Sequence, residues 1–315
     1  MIRSEPLAVR VRQIEPLSPT LKRVTFEAAD GGLLPTTQPG AHLSLTLPVA
    51  ERPRHNSYSI VTPCAERSVY QIIVRRAAES RGGSRFVHEQ LQPGQVLASS
   101  PPNSQFAIQS LARRHLLIGG GVGVTPLLSF LPELRARRAW LEAHQFAQAS
   151  EAGVFEALLA PFAGDDVRVH SGRREFDLIQ LLERQPLGTH VYCCGPQGLM
   201  DAVAQTALAL GWPPCRVHQE SFGAVGGDPF MVRLASSGRE IPVGSQETML
   251  EALENAGLAV PSLCRGGACG ECLTRVVDGV PDHRDHVLSD TEKAEGRLVM
   301  PCVSRSKTPY LVLDL

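Results

Sequence analysis

The chain has 315 residues, which is enough for two or three domains with separate hydrophobic cores. Its formal net charge of −1 gives no reason to expect a nucleic acid or an anionic membrane as partner. No apolar run approaches the roughly 18 residues that span a bilayer, and the N-terminal segment lacks the apolar region of a signal peptide. We therefore expect a cytoplasmic protein, in whose reducing environment clustered cysteines more often bind metal or carry out redox chemistry than form disulfides.

Residues 1–107 are predicted to form β-structure. Short alternating or apolar runs recur there, among them LAVRVRQI and VYQIIVRR, and Pro-Gly pairs at 39–40 and 93–94 separate them. This spacing is typical of a small antiparallel barrel.

Strands alternate with helices over residues 108–222. The strand HLLIGGG leads to a predicted helix at 126–138, and THVYCCG leads to GLMDAVAQTALALG. Such alternation predicts an α/β domain with a parallel sheet and crossover helices. A Gly-rich linker is expected at 223–229, followed by a third, α+β domain over 230–315. That domain should contain a hairpin in MVRLASSGREIPV and a helix in ETMLEALENAG.

Four cysteines of the third domain have the spacing of an iron–sulfur site. Cys264, Cys269 and Cys272 form C-x₄-C-x₂-C, and Cys302 follows 30 residues after Cys272. This is the plant-type [2Fe–2S] arrangement, and the small residues between the ligands let backbone N–H groups approach the sulfides. A structural zinc site is the alternative, but such sites usually pair two short C-x₂₋₄-C knuckles. The two histidines of HRDHVLSDTEK (283–293) are interpreted as part of a surface loop.

Two glycine-rich turns of the second domain predict a nucleotide site. GGGVGVTP (119–126) follows a predicted strand and precedes a helix, so its backbone N–H groups can approach a pyrophosphate. YCCGPQGLMDAV (192–203) is a second strand end that enters a helix. Two such strand ends side by side create a crevice at the carboxyl edge of a parallel sheet, where ligands bind. A role in packing alone is the alternative for these glycines.

These turns resemble those of the ferredoxin–NADP reductase superfamily, in which GGxGxTP and CGP line the nicotinamide site. The resemblance implies that the residues near the nicotinamide are Gly121, Thr125, Cys194, Gly195 and Pro196. After the strand WLEAHQF the chain reads AQASEAG, with no Arg or Lys to pair with a 2′-phosphate. Many relatives carry an Arg at this point. We therefore expect NADH rather than NADPH.

The same resemblance implies a flavin site in the barrel, where the superfamily has an R-x-Y-S motif and a GGS segment that holds the terminal phosphate of FMN. RHNSYSI (54–60) matches this motif at Tyr58 and Ser59, whereas Asn56 occupies the Arg position. RGGS stands before the helix-like FVHEQL, and a tight surface turn is the alternative reading of this segment. No separate adenosine-binding segment is seen, so FMN is expected rather than FAD. The flavin contacts implied by the resemblance are His55, Asn56, Ser57, Tyr58, Ser59, Val74, Arg75, Gly82, Gly83, Ser84 and the shielding aromatic Phe222.

The domain order, with the ferredoxin at the C-terminus, resembles the phthalate dioxygenase reductase family, which includes vanillate demethylase reductases. The resemblance implies that NADH delivers a hydride to FMN and that FMN releases the electrons singly to the cluster. The cluster would then reduce a Rieske-type non-haem iron oxygenase in a transient complex. Ser59, Thr125 and Cys194 would position the cofactors, with Glu220 as a further candidate. The alternatives are a stand-alone reductase of another soluble acceptor and a non-catalytic redox sensor.

Overall fold

The structure is a computed structural model, and its contacts divide the chain into two compact units, Met1–Ser221 and Phe222–Leu315. No helix within the described residues is long and apolar enough to cross a membrane. The residues that the structure describes are 6–49, 53–78, 82–104, 106–172, 176–222, 226–263, 265–267, 269–285 and 287–315.

The first half of the N-terminal unit is an antiparallel barrel, as predicted. Its elements are β1 (Leu7–Pro16), β2 (Leu21–Ala28), β3 (Ala41–Leu47), β4 (Arg54–Ser59), β5 (Tyr70–Arg75), α1 (Gly83–Glu89), β6 (Val96–Ser99) and β7 (Asn103–Ser104). The strand order is β4–β3–β6–β1–β2–β5, with β7 beside β3. A bridge between Ile60 and Ile72 joins the two outer strands, so the sheet curls towards closure. Leu43, Leu45 and Leu47 recur at every second position of β3 and are fully buried, as strand alternation predicts.

The second half is the predicted parallel sheet with crossover helices. Its elements are β8 (Arg114–Gly120), α2 (Val124–Ala136), β9 (Trp140–Ala147), α3 (Ala152–Leu159), β10 (Val167–Ser171), α4 (Leu178–Glu183), β11 (Thr189–Cys194), α5 (Gln197–Ala209) and β12 (Val217–Glu220). The strand order is β10–β9–β8–β11–β12. The chain winds outward from β8 to β10 and then returns to place β11 on the other side of β8. The direction of winding therefore reverses between β8 and β11, and ligands bind at such a switch point.

An apolar core joins the barrel to the parallel sheet. Leu21 and Ile73 of the barrel pack in one buried cluster with Phe106, with Phe130 of α2 and with Tyr192 of β11. The Phe106 and Phe130 rings lie 5.3 Å apart between centroids, and Tyr192 meets both rings edge-on. We call these five residues the lobe interface. Because it is continuous core, the barrel lobe and the nucleotide lobe form one unit.

The C-terminal unit is built around a second sheet. Its elements are β13 (Phe230–Leu234), β14 (Glu240–Val243), α6 (Met249–Asn255), β15 (Thr274–Asp278), β16 (Pro281–Asp282), α7 (Asp290–Glu295), β17 (Leu298–Val299), β18 (Arg305–Ser306) and β19 (Tyr310–Leu313). The larger sheet has the order β14–β13–β19–β15–β17. The predicted hairpin is β13–β14, and the predicted helix is α6, which begins with a capping box between Thr248 and Glu251. Both predictions are confirmed.

The prediction of a surface loop at 283–293 is wrong from Asp290 onward, where a helix begins, and at the buried Asp285. Asp285 is only 2% exposed, and it accepts hydrogen bonds from the backbone N–H groups of Val287 and Leu288. Helix α7 begins within the segment, with Ser289 as N-cap and Glu292 completing a capping box. This S-x-x-E pattern is a helix-start signature that the sequence contains.

The second half of the predicted linker 223–229 is bound to the C-terminal unit. Arg284 donates to the carbonyl of Gly226 at 2.7 Å, and the buried Arg305 donates to that of Asp228 at 3.0 Å. Residues 223–225 lie outside the described residues. The boundaries of the linker remain a prediction.

We predict that Gly40→Ala destabilises the N-terminal unit through its contact with the nucleotide lobe. Gly40 has φ +77°, its N–H donates to Ser129 Oγ at 2.9 Å, and an added Cβ would collide with the Phe106 carbonyl. A left-handed alanine costs roughly 1–2 kcal/mol, and overpacking adds about 1–3 kcal/mol. The measurement is urea unfolding followed by circular dichroism.

The control is Gly31→Ala, because Gly31 has nearly the same φ of +78° but nothing within 4 Å of an added Cβ. It should show the backbone cost alone. Equal free energies of unfolding for the two variants would contradict the close approach at Gly40.

Candidate functional site

The two predicted nucleotide turns meet at the switch point of the parallel sheet. Gly119, near the end of β8, lies opposite Cys194 at the end of β11. A Cβ at Gly123 would collide with the carbonyl oxygen of Cys194, and one at Gly120 would come within 2.7 Å of Pro196 Cδ. The glycines at 120 and 123 therefore allow the two turns to pack in direct contact.

Gly121 differs from its neighbours because an added Cβ there would meet one atom only, at ordinary contact distance. Its φ is +55°, and the nearest atom to an added Cβ is Nη2 of Arg75, 3.6 Å away. Its carbonyl accepts a hydrogen bond from Gln145 Nε2 at 2.8 Å. Helix α2 begins immediately after this turn, and the N–H of its first residue, Val124, donates to the carbonyls of Gly121 and Val122. The N-terminus of a helix favours an anionic group nearby.

Thr125 and Cys194 are buried residues that fix these turns. Thr125 is 2% exposed, and its hydroxyl donates to the carbonyl of Val122 at 3.0 Å. Cys194 has no exposed surface. Burial and the nearby carboxyl group of Glu220 raise the pKa of the Cys194 thiol well above its ordinary value. The thiol is therefore neutral near pH 7 and is not an activated nucleophile.

Glu220 has an enclosed carboxyl group beside Cys194. It lies opposite Cys194 in the β11–β12 register. The residue is half-buried, but its Oε2 is enclosed and has no hydrogen-bond partner within the described residues. Burial raises the pKa of Glu220 to about 8, so the carboxyl group holds a proton at neutral pH.

The predicted flavin strand carries two buried hydroxyl groups without partners. The Tyr58 hydroxyl and Ser59 Oγ are enclosed and form no hydrogen bond to any other described residue. Burial raises the pKa of Tyr58. A buried polar group without a partner costs about 1–3 kcal/mol, so a bound polar group is expected at these atoms. The flavin fits this requirement, since its ring system offers several hydrogen-bonding groups.

The neighbouring positions of β4 are held by the barrel itself. Ser57 Oγ lies 2.7 Å from Ser44 Oγ, and His55 Nδ1 lies 3.1 Å from Thr46 Oγ1. Asn56 and Tyr58 share the opposite face from these two residues, since successive side chains of a strand alternate.

The predicted phosphate segment converges with Asn56. Gly82 has φ +110°, and an added Cβ at Gly83 would collide with the side-chain amide of Asn56. Ser84 Oγ accepts a hydrogen bond from the Ala77 N–H at 3.2 Å. The residue at the family's Arg position therefore lies directly against the GGS segment, and no larger side chain fits at Gly83. This cradle suits the terminal phosphate of FMN.

The other predicted flavin contacts have different surroundings. Val74 is buried in the barrel core, with its carbonyl 3.0 Å from His88 Nε2. Arg75 forms an ion pair with Glu151 of the nucleotide lobe. Phe222 is 46% exposed and is the first residue of the C-terminal unit. Its shielding role remains a prediction.

The loop that carries Cys269 and Cys272, which we call the cysteine loop, packs against the segment that carries Cys302. An added Cβ at Gly267 would lie 2.5 Å from Val303, which directly follows Cys302. Cys272 and Cys302 are each 3% exposed in the core of the C-terminal unit, and Cys269 is half-buried. Cys264 lies outside the described residues.

The backbone of this loop also fits a [2Fe–2S] cluster. Arg265, Gly267 and Gly270 have φ of +51°, +74° and +79°. Left-handed residues of this kind can turn neighbouring N–H groups to one side, as in the anion-binding concavities of other proteins. Arg265 forms a two-point ion pair with Glu254 of α6, which holds the loop to the helix. Buried thiols beside such a concavity are the donor set that an iron–sulfur cluster needs.

Several site contacts were not predicted from the sequence. The approach of Asn56 to Gly83 and the pairing of Arg75 with Glu151 join residues far apart in the chain. Neither pair forms a motif of fixed spacing. Glu151 lies in AQASEAG, a stretch from which the sequence predicts only that no Arg or Lys is available for a 2′-phosphate.

Two sequence families match parts of the chain. The family described as 2Fe-2S iron-sulfur cluster binding domain matches residues 232–307. The family described as dimethylamine monooxygenase subunit DmmA-like, N-terminal domain, matches residues 95–217.

Known proteins match nearly the whole chain. The heme-dependent oxidative N-demethylase beta subunit of Ectopseudomonas mendocina is 42% identical over 311 residues, which is 98% of this chain and 99% of the relative. The vanillate O-demethylase oxidoreductase of Pseudomonas sp. strain HR199 is 40% identical over 300 residues, 92% of this chain and 94% of the relative. The solved structure of phthalate dioxygenase reductase, described as modular for electron transfer from pyridine nucleotides to [2Fe–2S], matches with a TM-score of 0.80 and 34% identity over 98% of each chain.

These similarities confirm the predicted fold class, the oxidoreductase class and the plant-type iron–sulfur domain. They cover all three parts of the chain in the predicted order. The chain therefore belongs to the phthalate dioxygenase reductase family, as an oxidoreductase with an antiparallel barrel, a parallel-sheet α/β domain and a C-terminal [2Fe–2S] domain.

Proposed function

We propose that this protein takes a hydride from NADH and passes the electrons one at a time to an oxygenase. The observation that carries the proposal is the crevice at the switch point, whose two glycine turns share one unit with a barrel that carries the unpartnered Tyr58 and Ser59 hydroxyls. Bound FMN supplies the conversion of two-electron to one-electron transfer, and the cluster carries single electrons. The residues of the chain bind, orient and enclose these groups.

On the nucleotide side, we assign NADH to the crevice between the two turns. Backbone N–H groups of the glycine turn that precedes α2 would bind its pyrophosphate, and Gly121 leaves space for their approach. Thr125 fixes the turn through Val122, while Cys194, Gly195 and Pro196 form the opposite wall. Cys194 acts as a packing and positioning residue, because its thiol is neutral.

On the flavin side, we assign the Tyr58 and Ser59 hydroxyls to the ring system and the cradle of Asn56 with Gly82–Ser84 to the phosphate. The side-chain amide of Asn56 can donate to a phosphate without supplying charge. The backbone N–H groups of the glycine segment add further donors. His55, Ser57 and Val74 would support the strand on which these contacts depend.

We assign the cluster to Cys264, Cys269, Cys272 and Cys302, and the electron acceptor to a Rieske-type oxygenase in a transient complex. Electron-transfer complexes of this kind bury little surface and dissociate readily. The similarity to vanillate O-demethylase oxidoreductase and to phthalate dioxygenase reductase supports this assignment.

A haem-containing demethylase is the second candidate partner. The similarity of 42% to the beta subunit of a heme-dependent oxidative N-demethylase favours it, as does the match to a dimethylamine monooxygenase subunit over residues 95–217. The two candidates differ in the iron centre that accepts the electron and not in the chemistry of this chain.

We predict that anaerobic titration with NADH bleaches both the flavin and the cluster absorbance of the purified protein. Iron and flavin analysis should give about two irons and one FMN per chain. The control is Cys302→Ser, which removes one cluster ligand in the C-terminal unit and should leave bleaching of the flavin by NADH intact. Absence of bleaching in the wild-type protein would refute the proposed function.

The reduced protein is then mixed with a Rieske-type demethylase and, separately, with a haem-dependent N-demethylase alpha subunit. Reduction of the Rieske centre within seconds supports the first partner, and a shift of the haem Soret band supports the second. Equal and slow reduction of both would contradict an oxygenase partner.

Asn56→Asp should weaken FMN binding by about tenfold or more. The change places a negative charge against the phosphate cradle at Gly83, and two like charges about 4 Å apart repel by roughly 1–4 kcal/mol. The dissociation constant of FMN is measured by fluorescence after removal of the flavin. The control is Asn255→Asp, the same change at an exposed position of α6. Unchanged affinity in Asn56→Asp would place the phosphate elsewhere.

Glu220→Gln should remove the part of the pH dependence of stability, between pH 5 and 8, that comes from the raised pKa of Glu220. The folded pKa of Glu220 is about 8, above the ordinary 4.5, so the folded state keeps a proton that the unfolded state has released between these pH values. Wild-type stability therefore falls relative to the variant as pH rises from 5 to 8, by on the order of 1 kcal/mol per pH unit.

Urea unfolding at several pH values measures this difference. Glu183→Gln, at an exposed position of α4, is the matched control and should follow the wild-type pH profile. Parallel profiles for wild type and Glu220→Gln would show that Glu220 is ionised in the folded protein.

A further inference from the structure

One buried carboxylate of the nucleotide lobe has both of its oxygens bound by side chains of the barrel. Glu151 Oε1 accepts a hydrogen bond from Thr20 Oγ1 at 2.6 Å, and Oε2 pairs with Arg75 Nη2 at 2.5 Å. Glu151 is 8% exposed. Thr20 precedes β2, and Arg75 is the last residue of β5, so the carboxylate holds two neighbouring barrel strands.

Glu151 is also the N-cap of α3. Its carbonyl accepts a hydrogen bond from the N–H of Val154 at 3.0 Å, and the fully buried Phe155 of α3 packs in the core that contains the lobe interface. Burial raises the pKa of Glu151, but the hydrogen bonds from Thr20 and Arg75 and the charge of Arg75 outweigh it, and the net pKa is lowered. The carboxylate is therefore ionised at neutral pH, and the start of α3 is tied to the barrel by charge-assisted bonds.

Arg75 also lies beside the nucleotide turn. Its Nη2 lies 3.6 Å from the Cβ position of Gly121, which opens the turn at the crevice. Gln145 binds the carbonyl of the same glycine through its side-chain amide at 2.8 Å. The turn is thus flanked by one side chain from β9 and by one from the barrel strand that precedes the GGS segment.

The alignment of two lobes needs directional contacts. Burial at the lobe interface is strong but non-directional, since it depends on apolar area and not on orientation. Charged hydrogen bonds with fixed donor and acceptor positions define a distance and an angle. A hydride donor and acceptor must approach to about 3–3.5 Å, and a misplacement of about 1 Å can cost about 100-fold in rate.

We propose that Glu151 is a positioning residue for hydride transfer: by binding Thr20 and Arg75 together, it fixes the flavin lobe against the nucleotide turn at Gly121. This inference rests on the proposed function, because alignment matters only if NADH and FMN react across the two lobes. It assigns Arg75 a role between the lobes in addition to any contact with the flavin.

The test is Glu151→Gln in the full-length protein with its cofactors, mixed rapidly with NADH without oxygen. Glutamine keeps the shape of the side chain but removes the charge that binds Arg75. We expect the rate of flavin bleaching to fall about tenfold or more, and the long-wavelength charge-transfer absorbance of the NADH–FMN pair to weaken. FMN content should be unchanged. In the resting protein, amide hydrogen exchange at 121–124 should become faster.

Two further variants separate positioning from folding. Thr20→Val removes one hydrogen bond while keeping the charge pair, and should shift the same readouts in the same direction by a smaller factor. Asp166→Asn is the matched control, because Asp166 forms a two-point pair with Arg135 at 2.7 Å entirely within the nucleotide lobe. It should leave the charge-transfer absorbance and the bleaching rate within twofold of wild type.

If Glu151→Gln lowers the unfolding midpoint but leaves the charge-transfer absorbance and bleaching rate within twofold, Glu151 has only a structural role and the inference is overturned. If the wild-type protein itself is not bleached by NADH, the proposed function fails, and the inference fails with it. Slower bleaching with intact charge-transfer absorbance would also overturn it, since the two cofactors would then be correctly aligned.

Discussion

The nucleotide site depends on one close approach, between the turn after β8 and the turn after β11. Gly120 and Gly123 are small enough for the backbones to touch, so that Cys194 and Pro196 lie directly against the first turn. Any side chain at these glycines would push the turns apart. With the two strand ends in contact, Gly121 remains the position of the first turn at which an added Cβ would meet only Arg75 Nη2, at 3.6 Å. Gly120 and Gly123 allow the two turns to pack together, and Gly121 leaves room for a ligand to approach the backbone.

Glycines also allow close approach of two segments at the proposed flavin-phosphate cradle and at the cysteine loop. Gly83 lies against the Asn56 amide, and Gly267 lies against Val303 beside Cys302. In each case a glycine lets one segment approach another that carries a polar or metal-binding group. Side chains then complete the sites. Tyr58 and Ser59 present buried hydroxyls that need a partner, and the ion pair of Arg265 with Glu254 holds the cysteine loop to α6. In all three sites, glycines allow the backbone segments to pack closely, and a few side chains provide the binding groups.

The N-terminal unit combines an apolar interface with a few directional bonds. The lobe interface around Phe130 and Tyr192 resists separation of the lobes, while Glu151 with Thr20 and Arg75 restricts their relative orientation. This division follows from the physics of the two interactions, since burial of apolar area tolerates sliding and charged hydrogen bonds do not. Under the proposed function, hydride transfer from NADH to FMN would depend on both.

The sequence alone determined the strand-rich and alternating segments and the cysteine spacing, and its motifs resemble those of a family that uses FMN and NADH. These features are local: the spacing of Cys264, Cys269 and Cys272, the glycine turns, and hydrophobic periodicity all lie within short windows. Helix α7 was equally local, and its capping box from Ser289 to Glu292 could have been recognised.

Only the tertiary structure decided which segments meet. The order of the parallel strands, the placement of Asn56 against Gly83 and the binding of Arg75 and Thr20 by Glu151 join residues distant in sequence. No periodicity or spacing encodes such pairs. They arise because packing of the apolar cores fixes the elements first, and polar side chains then bind whichever partners that packing brings within hydrogen-bonding distance.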